Sequence, residues 1–465
     1  MSATPLESNP ASSPSLTSGW RELWLKEDWW AIWLGLGVVI LGYILFADGL
    51  SLKWIAVTPD KWSTLLQLTG HFAANAPRYL AQFVAWLVLF SVALAALGHR
   101  PRDVIPSFAF VYVVSVAIFT VGQWTQASTY NLEPPLVALL LGLLISNLIG
   151  LPRWMDAGFR VEFYVKIGIV LLGATLPFSL IVWAGPIAIL QASLVSLATF
   201  FVIYFVARGL GLERQLAATL GAGGAVCGVS ASIAIAGAVG AKKEHASIAI
   251  TVVIFWAIVM IFLLPFAARA LNLPTGVGGA WIGTSEFADA AGFAAAQTYG
   301  AYGGQGAVTG APDQAVWAFT LMKVVGRDVW IGVWALALAI VSTTRWEPQE
   351  TGRKPEAGEV WRRFPKFVIG FLVASLIITW AARGYALADF NKAINPTLVA
   401  PIKDLRTWTF IFGFFSIGLT TRIGALAKTG RRPFAAFTAG VVVNVVLGFL
   451  LSVYVFASYW TNLAR

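Results

Sequence analysis

The sequence predicts an all-α polytopic membrane protein with about a dozen transmembrane helices. Of its 465 residues, 58% are apolar and only 12% are charged, whereas about a quarter of the residues in a soluble domain are charged. A bilayer crossing takes about 20 apolar residues, and apolar runs of that length recur throughout 29–459. This composition excludes an ordinary water-soluble globular protein.

The first apolar run, 29–47, is expected to be a retained helix and not a secretory signal, because it starts late and follows a mixed-charge segment. Before it, the Ser- and Pro-rich residues of 1–28 are expected to form a disordered tail. The remaining spans are expected at 79–98, 105–123, 134–150, 166–184, 186–208, 215–240, 246–270, 277–299, 313–341, 367–383, 405–426 and 433–459.

The formal net charge of +10 is interpreted as a signal of membrane orientation, and no nucleic-acid partner is expected. Lys and Arg gather in short loops between the apolar runs, and threading these runs from an inside N-terminus puts most basic residues on one side, with the hydrophilic loop 343–366. Basic loops face the cytoplasm, so the N-terminus is expected to be cytoplasmic, in a bacterial inner membrane. Lys242 and Lys243 fall outside and are the main objection to this topology.

Cysteine and histidine usage argues against a metal centre or an enzyme. The single cysteine, Cys227, excludes an intramolecular disulfide framework, and the three histidines are far apart in sequence. The chain carries no metal-ligand cluster, no nucleophile elbow and no phosphate-binding loop. Neither a cofactor nor enzymatic activity is therefore expected.

Two distant segments resemble each other, which suggests an internal repeat. From Gly237 and again from Gly424, a small-residue helix end leads through a basic turn into an Ala/Val-rich run. Their equivalence predicts two five-helix units, 134–270 and 277–459, preceded by about three additional helices in 29–130. An odd number of spans inverts the second unit, as in many secondary transporters. Chance similarity between small-residue helices is the alternative.

Each unit is expected to contain one interrupted helix. Glycines crowd 220–240, which makes it a poor continuous helix, and the matching position of the second unit is 410–422. A half-helix that begins inside the membrane presents unpaired N–H groups, which attract anions; close packing through small residues is the alternative. The candidate anion-binding residues at the two breaks are Gly224, Cys227, Gly228, Ser230 and Ser232, and Ser416, Thr420 and Thr421.

Charged residues are concentrated in two adjacent spans at the start of the second unit. A charge at the bilayer centre costs about 2.5 to 3.5 kcal/mol, so these residues are expected to pair, to face water or to function. Lys323 and Arg327, with Thr284 and Ser285, are expected to bind an anionic substrate, while Glu286 and Asp289 are expected to carry the coupling proton. A purely structural ion-pair network is the alternative.

Seven segments resemble the sulfate exporter family of bacterial membrane proteins, also called the YeiH family. They begin at Pro134, Lys166, Gly221, Lys242, Trp281, Asp313 and Gly418 and cover most of 134–445 in the family's order. The resemblance implies two interrupted helices that cross at mid-membrane, and export of sulfate or a related sulfur oxyanion such as a sulfonate. Family members commonly carry a His-Glu pair where this chain has Phe287 and Ala288, and the additional N-terminal helices lie outside the resemblance.

The leading hypothesis is a secondary transporter that exports a small inorganic or organic anion by alternating access and is coupled to protons or Na⁺. A cation/proton antiporter is an alternative because buried carboxylates also bind Na⁺, and an anion channel is another because sequence does not separate leak from alternating access. The lipid bilayer is an obligatory partner, and a homodimer is left open.

Overall fold

The computed structural model describes residues 22–127, 132, 134–175, 178–328, 330–346, 365–383, 385, 390–421 and 430–463. Helices dominate these ranges, and six of them are long and apolar enough to cross a membrane. The predicted all-α polytopic class is therefore confirmed. Most of the expected tail, the loop residues 347–364 and Arg422 lie outside the described residues.

Three long N-terminal helices, α1 (Glu27–Ala47), α2 (Leu65–Ala96) and α3 (Pro101–Gly122), precede the segment with the family resemblance. A short helix, Glu22–Leu25, leads into α1, so helical structure begins inside the expected tail. A capping box of Thr64 and Gln67 starts α2, satisfying N–H groups that a helix start leaves unpaired. An aromatic cluster joins α2 and α3 to the rest of the bundle.

Three helices follow: α4 (Pro134–Leu144), α5 (Val161–Gly173) and α6 (Phe178–Gly209). The expected division between spans at 185 is wrong, because α6 continues through Pro186. The α5 helix instead ends at Gly173, and α6 begins at Phe178. Gly173 lies close to the helix Phe367–Ala381 of the second half of the chain. A Cβ atom on Gly173 would lie 2.1 Å from the carbonyl oxygen of Phe371.

The glycine-rich segment forms a re-entrant helical hairpin, here called hairpin 1. Its two arms are α7 (Arg214–Ala225) and α8 (Val229–Ala238). The arms lie side by side, since a Cβ atom on Gly223 would be 2.5 Å from the Ser232 hydroxyl oxygen. The ends also meet, because Lys242 Nζ donates a hydrogen bond to Glu213 Oε1 at 2.7 Å. That bond lowers the pKa of the Glu213 carboxyl and raises that of the Lys242 ammonium.

After the long helix α9 (Lys243–Ala270), the chain forms a second re-entrant hairpin, hairpin 2, from α10 (Thr275–Ser285) and α11 (Asp289–Ala301). Its arms are antiparallel, because a Cβ atom on Gly278 would lie 2.1 Å from the Tyr299 ring. Its ends are joined where the Thr275 N–H donates to the Thr309 carbonyl oxygen at 2.9 Å. Since α9 separates them, the two hairpins enter the bundle from opposite ends.

The second half of the chain continues with α12 (Pro312–Thr320), the wide helical segment Leu321–Arg327, α13 (Trp330–Val341), α14 (Phe367–Ala381), α15 (Ala400–Thr420) and α16 (Arg431–Leu450). The α15 helix packs along α4 and α5, and α16 packs along α6. The core therefore lies between the two halves of the chain.

The hairpins change the expected topology. A re-entrant hairpin returns to the side from which it started, so 215–240 and 277–299 are not crossings as the sequence indicated. Lys242 consequently lies at the same end of the bundle as Glu213 and Gly211, and Gly211 is close to Arg432. Lys242 therefore no longer falls on the outer side, and the objection to a cytoplasmic N-terminus that this residue raised is removed. The two inverted five-helix repeats are not confirmed.

The interruption expected in 410–422 is wrong for its described part, because α15 is continuous from Ala400 to Thr420. Its glycines serve close helix packing. A Cβ atom on Gly413 would lie 2.5 Å from a Val165 methyl group, and one on Gly418 would lie 2.4 Å from the Leu139 carbonyl oxygen. The interruption of the second half lies at 286–288, in hairpin 2.

Candidate functional site

The tips of the two hairpins touch in the interior of the bundle. Gly228 has a φ of +76°, a conformation that glycine tolerates and other residues rarely adopt. A Cβ atom on Gly228 would lie only 2.3 Å from the carbonyl oxygen of Phe287. The two helix breaks therefore form one continuous patch of non-helical backbone, which the surrounding protein must satisfy with hydrogen bonds.

Arg327 satisfies carbonyl groups of both hairpins at once. Its side chain is fully buried, and its Nη2 and Nε donate to the carbonyl oxygens of Gly224 and Ala225 at 2.9 and 3.2 Å. Its Nη1 donates to the carbonyl oxygens of Thr284 and Glu286 at 2.5 and 3.1 Å. These groups end α7 and α10, so the guanidinium neutralises two negative helix termini.

Lys323 makes a second bridge between the hairpin tips. Its buried ammonium donates to the carbonyl oxygens of Val226 and Glu286, at 2.9 Å in each case, and lies 3.7 Å from Asp289 Oδ1. Both cations come from the Leu321–Arg327 segment, which has π-helical geometry. Wide helical turns of this kind occur frequently at functional sites.

Three carboxyl groups surround the hairpin tips. Glu286 Oε1 accepts hydrogen bonds from the N–H groups of Phe287 and Ala288 at 2.9 and 3.2 Å, so it caps the start of α11. Asp289 is the first residue of α11. Asp328 follows the two cations and is buried, and neither of its carboxyl oxygens has a hydrogen-bond partner among the described residues.

A cavity of about 100 Å³ lies beside the tip of hairpin 1. Cys227 and Ser230 line it from the tip, and Asp289 and Asp328 line it from the second half of the chain. Its other charged lining comes from farther away in the sequence: Asp28 of α1, and Glu162 and Lys166 of α5. Among the described residues of the lining, carboxyl groups therefore outnumber the ammonium group by four to one.

Lys166 lies in an ion-pair network between α1 and α5. Its Nζ is 2.9 Å from Asp28 Oδ1, 3.6 Å from Glu162 Oε2 and 3.9 Å from Glu27 Oε1. Glu27 in turn accepts a hydrogen bond from Arg160 Nη2 at 2.7 Å. The network links the cavity to the end of the bundle where α1 and α5 begin.

The structure brings together many of the residues that the sequence singled out. Gly224, Cys227, Gly228, Ser230, Glu286, Asp289, Lys323 and Arg327 all lie at the hairpin tips or in the cavity lining. Lys323 and Arg327 both donate to backbone carbonyl groups, and their expected binding of substrate stays a prediction. Their placement agrees with the structural alternative that the sequence left open.

Other expected residues lie elsewhere. The Thr284 and Ser285 hydroxyl oxygens face α16, at 2.3 and 2.9 Å from where a Cβ atom on Gly448 would be. Ser232 is buried between the arms of hairpin 1. Ser416, Thr420 and Thr421 do not line the cavity. The hydroxyl groups of Thr420 and Thr421 donate to the carbonyl oxygens of Ser416 and Ile417 at 2.8 and 2.7 Å, a local bonding pattern of a helix end.

Sequence reasoning missed Asp28, Glu162 and Lys166. The only available signal was the spacing of Glu162 and Lys166, which places them on one helix face, but both were assigned to loops or span ends. A larger cavity of about 590 Å³ lies at the far end of α9, lined by Arg269, Asn272 and Tyr302 among others. Its lining includes no residue of the hairpin tips.

The fold and site define a class: a polytopic membrane protein with two re-entrant hairpins whose tips meet beside an acidic cavity. The family follows from sequence comparison. Residues 106–437 match the family described as "Conserved hypothetical protein 698", and the chain belongs to this family. It is the YeiH family, so the resemblance seen in the motifs is confirmed.

The relatives share the name UPF0324 membrane protein. A UPF0324 membrane protein of Rhodopirellula baltica is 30% identical over 87% of this chain and 72% of its own length. One from Nitrosomonas europaea is 27% identical over 91% of this chain and 94% of its own length. One from Ralstonia nicotianae is 31% identical over 70% of this chain and 86% of its own length. These names state a membrane protein and no substrate, and no solved structure matches the chain.

Proposed function

We propose that this protein is a secondary transporter whose substrate binds at the hairpin tips and whose cavity carboxyl groups carry the coupling proton. The observation that carries this proposal is the meeting of two hairpins from opposite ends, at Gly228 and Phe287, beside a polar cavity. Non-helical backbone at membrane depth is tolerated where it lines a cavity, and transporters bind substrate at such breaks. Movement of the hairpins would open the cavity to each side in turn.

The substrate that we propose is a small sulfur oxyanion, sulfate or a sulfonate, exported across the bacterial cytoplasmic membrane with the N-terminus in the cytoplasm. The start of α8 supports an anion, because its N-cap Gly228 provides no side-chain cap and Ser230 of its first turn lines the cavity. A helix N-terminus carries partial positive charge. Arg327 and Lys323 neutralise the negative helix ends nearby, which would otherwise repel an anion.

The acidic lining provides a physical reason for coupling. A divalent anion entering among the carboxylates of Asp28, Glu162, Asp289 and Asp328 would be repelled. Uptake of protons by these groups removes the repulsion, so anion binding and proton binding would favour each other. Asp328, whose oxygens have no hydrogen-bond partner among the described residues, is costly to keep ionised in this position.

The same carboxyl groups support a second candidate, a cation/proton antiporter. Four carboxyl groups in one small cavity offer oxygen ligands to Na⁺, which would compete with protons. This reading requires no anion to approach the acidic lining. It predicts Na⁺-driven proton movement and no sulfate movement.

Flux into proteoliposomes separates the candidates. Purified full-length protein is reconstituted, and labelled sulfate uptake is measured with and without an imposed pH gradient, with protein-free liposomes as the control. Saturable uptake that a pH gradient accelerates is the expected result. Sulfate flux that neither saturates nor responds to pH would indicate the anion channel, and Na⁺-driven proton flux without sulfate uptake would indicate the antiporter. A homodimer stays a prediction.

A further inference from the structure

The first helix, α1, contributes to the cavity although it lies outside the part of the chain that matches the family model, 106–437. Asp28, in the first turn of α1, lines the cavity together with the hairpin residues. The sequence identified the N-terminal helices only as additions to the two expected five-helix units. The position of Asp28 instead brings α1 into contact with the proposed substrate site.

Lys166 is the one cationic residue among the described residues that line this cavity. Lys323 and Arg327 are nearby, but their hydrogen bonds go to carbonyl groups of the hairpins. Among the described residues, an anion that enters the cavity therefore meets one ammonium group that it can pair with. That group is already bound to the Asp28 carboxylate, with Nζ and Oδ1 2.9 Å apart.

We infer that Lys166 binds the transported anion, and that Asp28 occupies the anion's place on Lys166 when the cavity holds no substrate. This inference rests on the proposed function, because it assigns a residue to the anion site. A carboxylate oxygen and a sulfate oxygen are equivalent acceptors for an ammonium group. The exchange would keep Lys166 paired throughout, so no buried charge would be left without a partner.

The surroundings explain why Asp28 is the carboxylate that exchanges. Glu27 is held by Arg160 at 2.7 Å and is 3.9 Å from Lys166, and it does not line the cavity. Glu162 is 46% exposed at its side chain and farther from Lys166 than Asp28 is. Asp28 also accepts a hydrogen bond from the Lys366 N–H at 3.0 Å, so it retains a partner after it leaves Lys166. Asp289 and Asp328 face the same cavity and would repel the anion.

Asp28 and Glu27 offer a matched pair of variants. Sulfate binding to purified full-length protein is measured by titration calorimetry for wild type, Asp28→Asn, Glu27→Gln, Lys166→Gln and Lys166→Arg, each first checked for a monodisperse elution profile. The Asp28 carboxylate competes with sulfate for Lys166, so removing its charge raises the fraction of the protein that is competent to bind sulfate. Asp28→Asn is therefore expected to lower the sulfate Kd by about tenfold. Glu27→Gln should leave it within about twofold.

The lysine variants test the other side of the pair. Lys166→Gln should weaken sulfate binding by tenfold or more, on the order of a lost charged hydrogen bond, and Lys166→Arg should retain most of it. Equal effects of Asp28→Asn and Glu27→Gln, or unchanged binding in Lys166→Gln, would overturn the assignment of Lys166. Wild-type protein that binds no sulfate in this assay would instead overturn the proposed substrate, and with it this inference. If Lys166→Gln misfolds, the comparison of Asp28→Asn with Glu27→Gln still tests the inference.

Discussion

Gly228, at the tip of one hairpin, lies so close to the carbonyl oxygen of Phe287, at the tip of the other, that a Cβ atom would come within 2.3 Å of it. This contact brings the two helix breaks within reach of the same two cations. Lys323 donates to both tips, and Arg327 donates to the ends of both first arms. The hairpins, their capping cations and the cavity therefore form one unit.

The contact predicts that Gly228→Ala is disruptive. The methyl group would displace the Phe287 carbonyl, and alanine would have to adopt a φ of +76°, which together cost at least about 1 to 3 kcal/mol. We expect a lower temperature of thermal unfolding for the purified protein and loss of transport. Gly37→Ala is the matched control, because nothing lies within 4 Å of a Cβ atom there. Equal stability of the two variants would show that the tips are farther apart than described.

Arg327 is predicted to be a structural residue of the site. Arg327→Gln would leave several buried carbonyl oxygens without donors, at a cost of about 1 to 3 kcal/mol for each, and thermal unfolding should occur at a clearly lower temperature. Arg102→Gln serves as a control at a position that is 73% exposed. If Arg327→Gln unfolds like wild type and loses only sulfate binding, Arg327 contacts the substrate as the sequence suggested.

Asp289 is predicted to couple proton and substrate movement. In Asp289→Asn, the amide cannot take up a proton at this position, so sulfate flux should become insensitive to a pH gradient while the fold is retained. Asp313→Asn is the control, because Asp313 pairs with Lys403, 2.6 Å away, and does not line the cavity. Flux in Asp289→Asn that keeps the pH response of wild type would remove Asp289 from the coupling role.

The hairpins make a prediction about topology. Single cysteines introduced at Glu213 and Lys242 in a Cys227→Ser background should react with a membrane-impermeant maleimide from the same side of the membrane. A cysteine at Gln305, beyond hairpin 2 and in the lining of the larger cavity, should react from the opposite side. Reaction at 213 and 242 from opposite sides would mean that the segment crosses the membrane and does not turn back.

Much of the site could be predicted from local signals in the sequence. The glycines around Gly228 predicted the first helix break. The isolated charges within apolar segments predicted the charged residues at the hairpin tips: Glu286, Asp289, Lys323 and Arg327. The second break was predicted at 410–422, since the internal match was read as a repeat. Its glycines instead allow close contacts with Val165 and Leu139. Glycines that permit a break and glycines that permit packing look alike in a sequence, because the difference lies in the neighbouring helix.

The sequence by itself determined that this chain is a helical membrane protein and where its costly charges lie, because hydrophobicity and insertion cost are local properties of a segment. Only the tertiary structure decided that the two broken segments turn back and meet, because chain direction after a break depends on backbone angles such as that of Gly228 and on what each arm packs against. It also decided that Arg327 binds carbonyl groups and that Asp28 reaches Lys166. Those contacts join residues far apart in the chain, and packing alone brings them together.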